Sequence, residues 1–170
     1  MASASNPILL CFDRSPAAVG AIAEAGRLMA GRRALAVTAW VSVAPDMGLL
    51  GHMPSELSGN VKDVLAQLDI GAQRFAEKVA AEGDQLALAA GFESEPLALK
   101  VPSPVAGHTE VGVAQAIVRL ADECDAAVVV LGSRGLSQME AAVLGSVSYG
   151  VVHHCRRPLM IVPEGGSDRL

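Results

Sequence analysis

Three glycines and a serine stand at defined intervals after an apolar run in the last third of the chain. Two residues separate Gly132 from Gly135, and nine more precede the pair Gly145 and Ser146. Glycine is unfavourable in ordered structure unless the backbone needs unusual angles or a close neighbour. N–H groups at such glycines and at a helix start attract anions, because no Cβ blocks them and the helix dipole is positive there. The spacing favours a phosphate-binding turn; the alternative is a tight turn and helix start without a ligand.

Asp13 and Ser15 follow a second short apolar run, residues 8–12. A continuous apolar run of this length is typical of a strand buried on both faces in a parallel sheet. Asp13 offers only acceptors, which suits ribose hydroxyl groups, and Ser15 can cap a helix that begins directly after it. If the strands before Asp13 and Gly132 are neighbours, both residues face one crevice at the carboxyl edge of the sheet, where ligands bind in such folds.

Apolar runs alternate with helical patterns along the whole chain. Strands are predicted at 8–12, 34–43, 94–101, 126–131 and 158–163. This alternation favours an α/β fold, in which an open parallel sheet carries helices on both faces. Pro96 lies in the third strand and cannot donate to a ladder, so we place that strand at a sheet edge. No linker interrupts the pattern, and we expect one domain over residues 1–170 with a core of about 7–164.

The composition disfavours several classes of protein. Apolar residues make up 51% and charged residues 18%, which is typical of a folded chain. The net charge is −5 and no basic stripe occurs, so we expect no nucleic-acid partner. No apolar run approaches the length of a membrane span, so no membrane partner is expected either. The cysteines number three, without a C-x-x-C motif, which favours a reduced, cytoplasmic location.

Other common ligand motifs are absent from the sequence. There is no P-loop lysine motif, and no G-x-G-x-x-G follows the first strand, which disfavours a dinucleotide site. His153 and His154 are adjacent, and adjacent residues on a helix point about 100° apart, so they converge poorly on one metal ion. No protein-built metal site is predicted.

The chain resembles the universal stress protein family over nearly all of its length. The resemblance rests on "ILLCFDRS" at the first strand, "ALAVTAWV" at the second and the stretch 125–163. In that family G-2x-G-9x-G-[ST] marks the ATP-binding branch. The resemblance implies a five-stranded sheet of order 3-2-1-4-5, with the Rossmann-like fold of the adenine nucleotide alpha hydrolases. It also implies a homodimer through strand 158–163, an apolar edge of the kind that tends to pair.

The resemblance also implies a nucleotide site. Asp13 would approach the ribose, and the backbone of Val41 would read the adenine edge. The sugar and phosphates would be surrounded by Leu131, Gly132, Gly135, Gly145, Ser146, Val147 and Ser148. We add Ser15 and two cations that flank the glycines and the aspartate, Arg134 and Arg14. Arg134 either holds a phosphate or is a solvated turn residue; Arg14 stands where the family usually has a small residue and either pairs with phosphate or fills the entrance.

Together these features predict a regulatory stress-response protein that binds ATP or another adenosine phosphate with little or no turnover. Mg²⁺ would bind to the phosphates. Phosphoryl transfer needs a positioned base and a metal-holding carboxylate, and Asp13 is the only acidic residue that we place in the site. The alternatives are a slow ATP hydrolase and a dimeric interaction module with an empty site. We further expect a Gly132→Val variant to fold and to lose ATP binding, because the change lies at a strand end.

Overall fold

The computed structural model describes residues 6–43, 55–102, 109–133 and 144–163. Within these ranges, five parallel strands form one sheet of order β3-β2-β1-β4-β5. The strands are β1 (Ile8–Cys11), β2 (Arg33–Val41), β3 (Glu93–Val101), β4 (Val128–Gly132) and β5 (Leu159–Val162). The predicted α/β fold and strand order are confirmed, and the strand that carries Pro96 lies at an edge as expected.

Helices follow the strands in the described part of the chain. They are α1 (Pro16–Met29), α2 (Ser55–Ala89), α3 (Thr109–Glu123) and α4 (Ser146–His154). None of them has both the length and the apolar character that crossing a bilayer requires. α1 and α2 pack on one face of the sheet, and α3 and α4 pack on the other.

The central strands β1 and β4 are buried on both faces, which explains their continuous apolar sequences. Leu10 and Val130 contribute to the core under α1 and α2. Leu9 and Val129, one residue earlier in each strand, contribute to the core under α3 and α4. Successive side chains of a strand point to opposite faces, so one short run supplies both cores.

Gly83 allows the end of β1 to approach α2 closely. A Cβ at Gly83 would lie 2.8 Å from Cδ1 of Phe12, which is buried in the core under α1 and α2. α2 continues through this glycine without interruption. The contact fixes the chain directly before Asp13 against the C-terminal part of a long helix.

Candidate functional site

Asp13 and Gly132 stand at the same edge of the sheet. β1 pairs directly with β4, with Leu10 opposite Val130. Asp13 follows the end of β1, and Gly132 is the last residue of β4. The prediction that these two residues follow neighbouring parallel strands is therefore confirmed.

β2 extends beyond β1 and exposes backbone groups to the same crevice. The β1–β2 ladder ends at Val37, whereas β2 continues to Val41, which pairs with Val101 of β3. The Phe12 N–H donates to the Val37 carbonyl (2.8 Å), and the Ser42 N–H donates to the Val101 carbonyl on the opposite side (2.9 Å). Backbone groups alternate between the two sides of a strand, so the N–H and C=O of Val41 point to the β1 side, past its end.

Asp69 of α2 holds the chain that follows Val41. Its Oδ1 accepts a hydrogen bond from the Val43 N–H at 2.7 Å, and its Oδ2 accepts one from the Ser42 hydroxyl. The Lys100 Nζ lies 3.7 Å from Oδ2, and the Asp69 side chain is only 13% exposed. Sequence reasoning missed Asp69, because a single acidic residue within a polar helix stretch carries no signal of a distant partner.

The start of α1 is closed by its own side chains. The Ser15 hydroxyl accepts a hydrogen bond from the Ala18 N–H at 3.1 Å, so the predicted cap is confirmed. Asp13 Oδ1 accepts a hydrogen bond from the Ser15 N–H at 2.9 Å. Ser15 is buried, with 1% exposure, so its hydroxyl serves the helix rather than the open crevice.

Arg14 is engaged by α2. Its Nε and Nη2 donate hydrogen bonds to the two carboxylate oxygens of Glu82 at 2.6 and 2.5 Å. Its Cζ lies 5.1 Å from the ring centroid of Phe75. The hydrogen bond from Arg14 lowers the pKa of Glu82 below its ordinary value, so both partners are charged near neutral pH. The guanidinium group therefore has a protein carboxylate as its partner.

Gly132 is needed for close packing with α1. A Cβ at this residue would lie 2.7 Å from the carbonyl carbon of Ala17 and 2.8 Å from the amide nitrogen of Ala18. Those atoms belong to the backbone of the first turn of α1 and cannot rotate away. The reason given for the fold surviving Gly132→Val, a position at a strand end away from the core, is therefore wrong, since the larger side chain would press on the start of α1 and lower stability.

The start of α4 differs from that of α1. Gly145 is the N-cap residue, and no side chain of the described residues caps the helix. The Gly145 N–H donates to the Ser133 carbonyl at 2.8 Å, which ties the cap to the end of β4. The N–H groups of the next three residues, 146–148, have no acceptor within the helix and point out of its first turn, whereas the Tyr149 N–H donates to the Gly145 carbonyl. The Ser148 hydroxyl donates to the Gly132 carbonyl at 2.9 Å, so its one proton is already used.

The remaining predicted residues divide into two groups. Leu131 is buried and Val147 is half-buried, and both side chains pack in the core under α3 and α4, so only their backbones can face the crevice. Arg134 and Gly135 lie outside the described residues. Within the described ranges, no group of three His, Cys, Asp or Glu residues could hold a metal ion.

Cys11 lies at the end of β1, two residues before Asp13. Burial, followed by the nearby charge of Asp13, raises the pKa of its thiol to about 12. The thiol is therefore protonated at neutral pH and acts as a small packing group.

Comparisons with known proteins place the chain by sequence and by fold. The family model described as the universal stress protein family matches residues 5–163. A hypothetical protein solved as a test case of structural genomics has a TM-score of 0.68 and 17% identity, over 97% of this chain and 100% of its own. No curated protein matches the sequence.

Two further similar structures were solved with nucleotides. A universal stress protein in complex with cAMP has a TM-score of 0.57 and 24% identity, over 94% of this chain and 98% of its own. The universal stress protein from Archaeoglobus fulgidus in complex with dAMP has a TM-score of 0.51 and 20% identity, over 94% of this chain and 99% of its own. Because the family model covers almost the whole sequence, the chain belongs to the universal stress protein family.

Proposed function

We propose that this protein binds ATP or another adenosine phosphate in the crevice beyond β1 and acts as a regulatory stress-response protein with little or no turnover. The observation that carries the proposal is the extension of β2 past β1, which leaves the N–H and C=O of Val41 facing the crevice. The free cysteines fit a reducing cytoplasmic location.

The backbone of Val41 suits adenine better than guanine. A neighbouring donor and acceptor can pair with the ring nitrogen and the amino group on one edge of adenine. Guanine presents an oxygen and an N–H in those places, so the same pair would meet like groups. The hydrogen bonds from Ser42 and Val43 to Asp69 hold this strand end in place before a ligand arrives.

The phosphates would lie at the other side of the crevice. The start of α4, where Gly145 is the N-cap and no described side chain caps the helix, offers N–H groups from Ser146 and a positive dipole end. We propose that Gly135 and Arg134 complete this side, with Mg²⁺ bound to the phosphates. Gly132 would contribute backbone only, and Asp13 lies between the two sides, where a ribose would bridge them.

The partners of the charged residues near the crevice support the proposal of low turnover. Asp13 accepts a hydrogen bond from the Ser15 N–H, and Arg14 is paired with Glu82. Hydrolysis of ATP requires a group that orients water and a carboxylate that holds the metal ion. Among the described residues at this edge, the carboxylates are engaged in backbone or ion-pair contacts.

The related complexes support the class of ligand. Similar structures hold cAMP and dAMP, which share the adenine ring and a phosphate with ATP. Carried to this chain, the shared features are the adenine edge at Val41 and an anion at the start of α4.

Calorimetric titration tests the proposal. We expect saturable binding of ATP with Mg²⁺ and much weaker binding of GTP. Equal affinities for both would contradict the role of Val41, and no binding of any adenosine phosphate would favour an interaction module with an empty site. Phosphate release over many turnovers would show a slow hydrolase instead. Mass spectrometry of nucleotide that co-purifies would identify the ligand.

We also propose a homodimer that forms through strand 158–163. β5 is an edge strand, and Leu159, Met160 and Ile161 are only half-buried. Unprotected apolar edges tend to pair with a second copy. Sedimentation at micromolar concentration should give a dimer that Met160→Lys weakens, and a monomeric wild-type protein would contradict the proposal.

A further inference from the structure

Arg14 adopts a backbone conformation that residues with a Cβ rarely adopt. Its φ is +68°, in the left-handed region that favours glycine. The unfavourable conformation persists only where surrounding contacts hold it. Arg14 lies between Asp13, the proposed ribose ligand, and Ser15, the cap of α1.

Among the residues that the structure describes, the side-chain contacts of Arg14 come from α2. Glu82 binds the guanidinium group with two hydrogen bonds, a bidentate geometry that fixes orientation as well as distance. Phe75, about two turns earlier on the helix, lies beneath the same group. We call this arrangement of Arg14, Glu82 and Phe75 the arginine latch.

α2 contacts the residues on both sides of Asp13. Before it, Phe12 packs against Gly83 so closely that a Cβ there would overlap the ring. After it, Arg14 is bound to Glu82, the neighbour of Gly83 in sequence. The Asp13 carboxylate is then oriented by its hydrogen bond from the Ser15 N–H. Asp13 therefore occupies a turn that α2 determines.

The latch directs Arg14 away from the phosphate side. α2 packs near β2 and β3, whereas α4 begins beside β4, on the other side of β1. A guanidinium group that is bound by Glu82 and covered by Phe75 points toward α2. This direction does not suit a phosphate ligand at the start of α4.

We propose that Arg14 and Glu82 are positioning residues for Asp13 and thereby set how strongly the site recognises ribose hydroxyl groups. The proposal rests on the proposed function. It assigns to Arg14 a role through Asp13 rather than direct contact with a phosphate.

The test compares ATP with 2′,3′-dideoxy-ATP, which lacks the ribose hydroxyl groups. Calorimetry would give both affinities for the wild-type protein and for Glu82→Gln, Arg14→Ala and Arg14→Gly. We expect wild type to prefer ATP, and each variant to lose about threefold or more of that preference. The ratio of ATP to GTP affinity should stay unchanged, because Val41 lies on another strand.

A matched control removes a similar ion pair elsewhere. Arg27 on α1 pairs with Glu24 at 3.3 Å, also at the surface. Arg27→Ala should leave the preference for ATP over the dideoxy analogue unchanged. Arg14→Ala and Arg14→Gly both remove the arginine latch, but only Arg14→Gly also relieves the unfavourable φ. Comparing the two variants therefore separates the effect of backbone strain from that of positioning.

The outcomes distinguish the two proposals. A wild-type preference for ribose hydroxyl groups that persists in all three variants overturns the role of the latch and leaves ATP binding standing. An equal loss of affinity for both ligands also overturns it, since that indicates general destabilisation. A wild-type protein that binds no adenosine phosphate overturns both. If Arg14→Ala fails to fold by circular dichroism, the nearly isosteric Glu82→Gln decides.

Discussion

The two helices that begin beside the crevice start in opposite ways. α1 and α4 are both located at the carboxyl edge of neighbouring central strands. At α1 the Ser15 hydroxyl accepts a hydrogen bond from the first turn, and Gly132 is in tight contact with its backbone. At α4 the cap is a glycine without a side-chain bond. An N–H group that already has a protein acceptor attracts an anion less, which is why the proposed phosphate site lies at α4 rather than at α1.

Adding a side chain at Gly132, where it contacts the first turn of α1, should have the largest effect on stability. Gly132→Val would drive a side chain into the backbone of Ala17 and Ala18 and should lower the free energy of unfolding by about 1–3 kcal/mol or more. Urea unfolding measures this. In the control Gly20→Ala, the new methyl group on α1 meets nothing within 4 Å, so stability should rise by up to about 1 kcal/mol. A Gly132→Val protein as stable as wild type would contradict the packing role.

Adding a capping side chain at the start of α4 should remove the difference in capping between α4 and α1. Gly145 has φ −58° and ψ 154°, which other residues adopt readily, so Gly145→Asp can place a carboxylate cap on α4. We expect ATP affinity to fall at least about tenfold, because the carboxylate bonds to the first-turn N–H groups and repels phosphate. Gly145→Ser, a neutral cap, should cost less affinity. Undiminished ATP binding by Gly145→Asp would place the phosphates elsewhere.

Removing a hydroxyl from each start should give unequal losses of stability. Ser15→Ala removes a buried cap and should lower the free energy of unfolding by about 0.5–2 kcal/mol. Ser146→Ala removes a group after an uncapped start and should change stability by less than about 0.5 kcal/mol. Thermal unfolding of both variants without ligand gives the comparison, and equal losses would show that the two starts are alike.

Cys11, half-buried at the end of β1 on the face covered by α3 and α4, should have the smallest effect at neutral pH. Its pKa is about 12 in the folded chain against an ordinary 9.0, so between those values the unfolded chain has lost a proton that the folded chain keeps. The free energy of unfolding should therefore fall as pH rises above 9, by up to about 1.4 kcal/mol per pH unit. Cys11→Ala should reduce that slope. Identical slopes in the wild type and in Cys11→Ala would contradict a thiol that stays protonated in the folded chain.

Features that depend on local chain properties could be read from the sequence. The alternation of apolar runs and helices, the edge position of Pro96 and the cap at Ser15 follow from backbone geometry and periodicity within a few residues. The placement of Asp13 and Gly132 at one edge of the sheet also followed, because parallel strands joined by helices bring their carboxyl ends to one edge. That their two strands are neighbours was implied only by the family resemblance.

Contacts between distant residues could not be predicted in the same way. The glycine at 132 was correctly identified as a site of close approach, but its neighbour in the fold is the first turn of α1. Arg14 was a candidate for phosphate, yet its partner is Glu82, 68 residues away. Asp69 had no assigned role, although it fixes the end of β2. In each case the residue type determined which kind of contact the residue can make. Only the packing of α1 and α2 on the sheet decided which group is its partner.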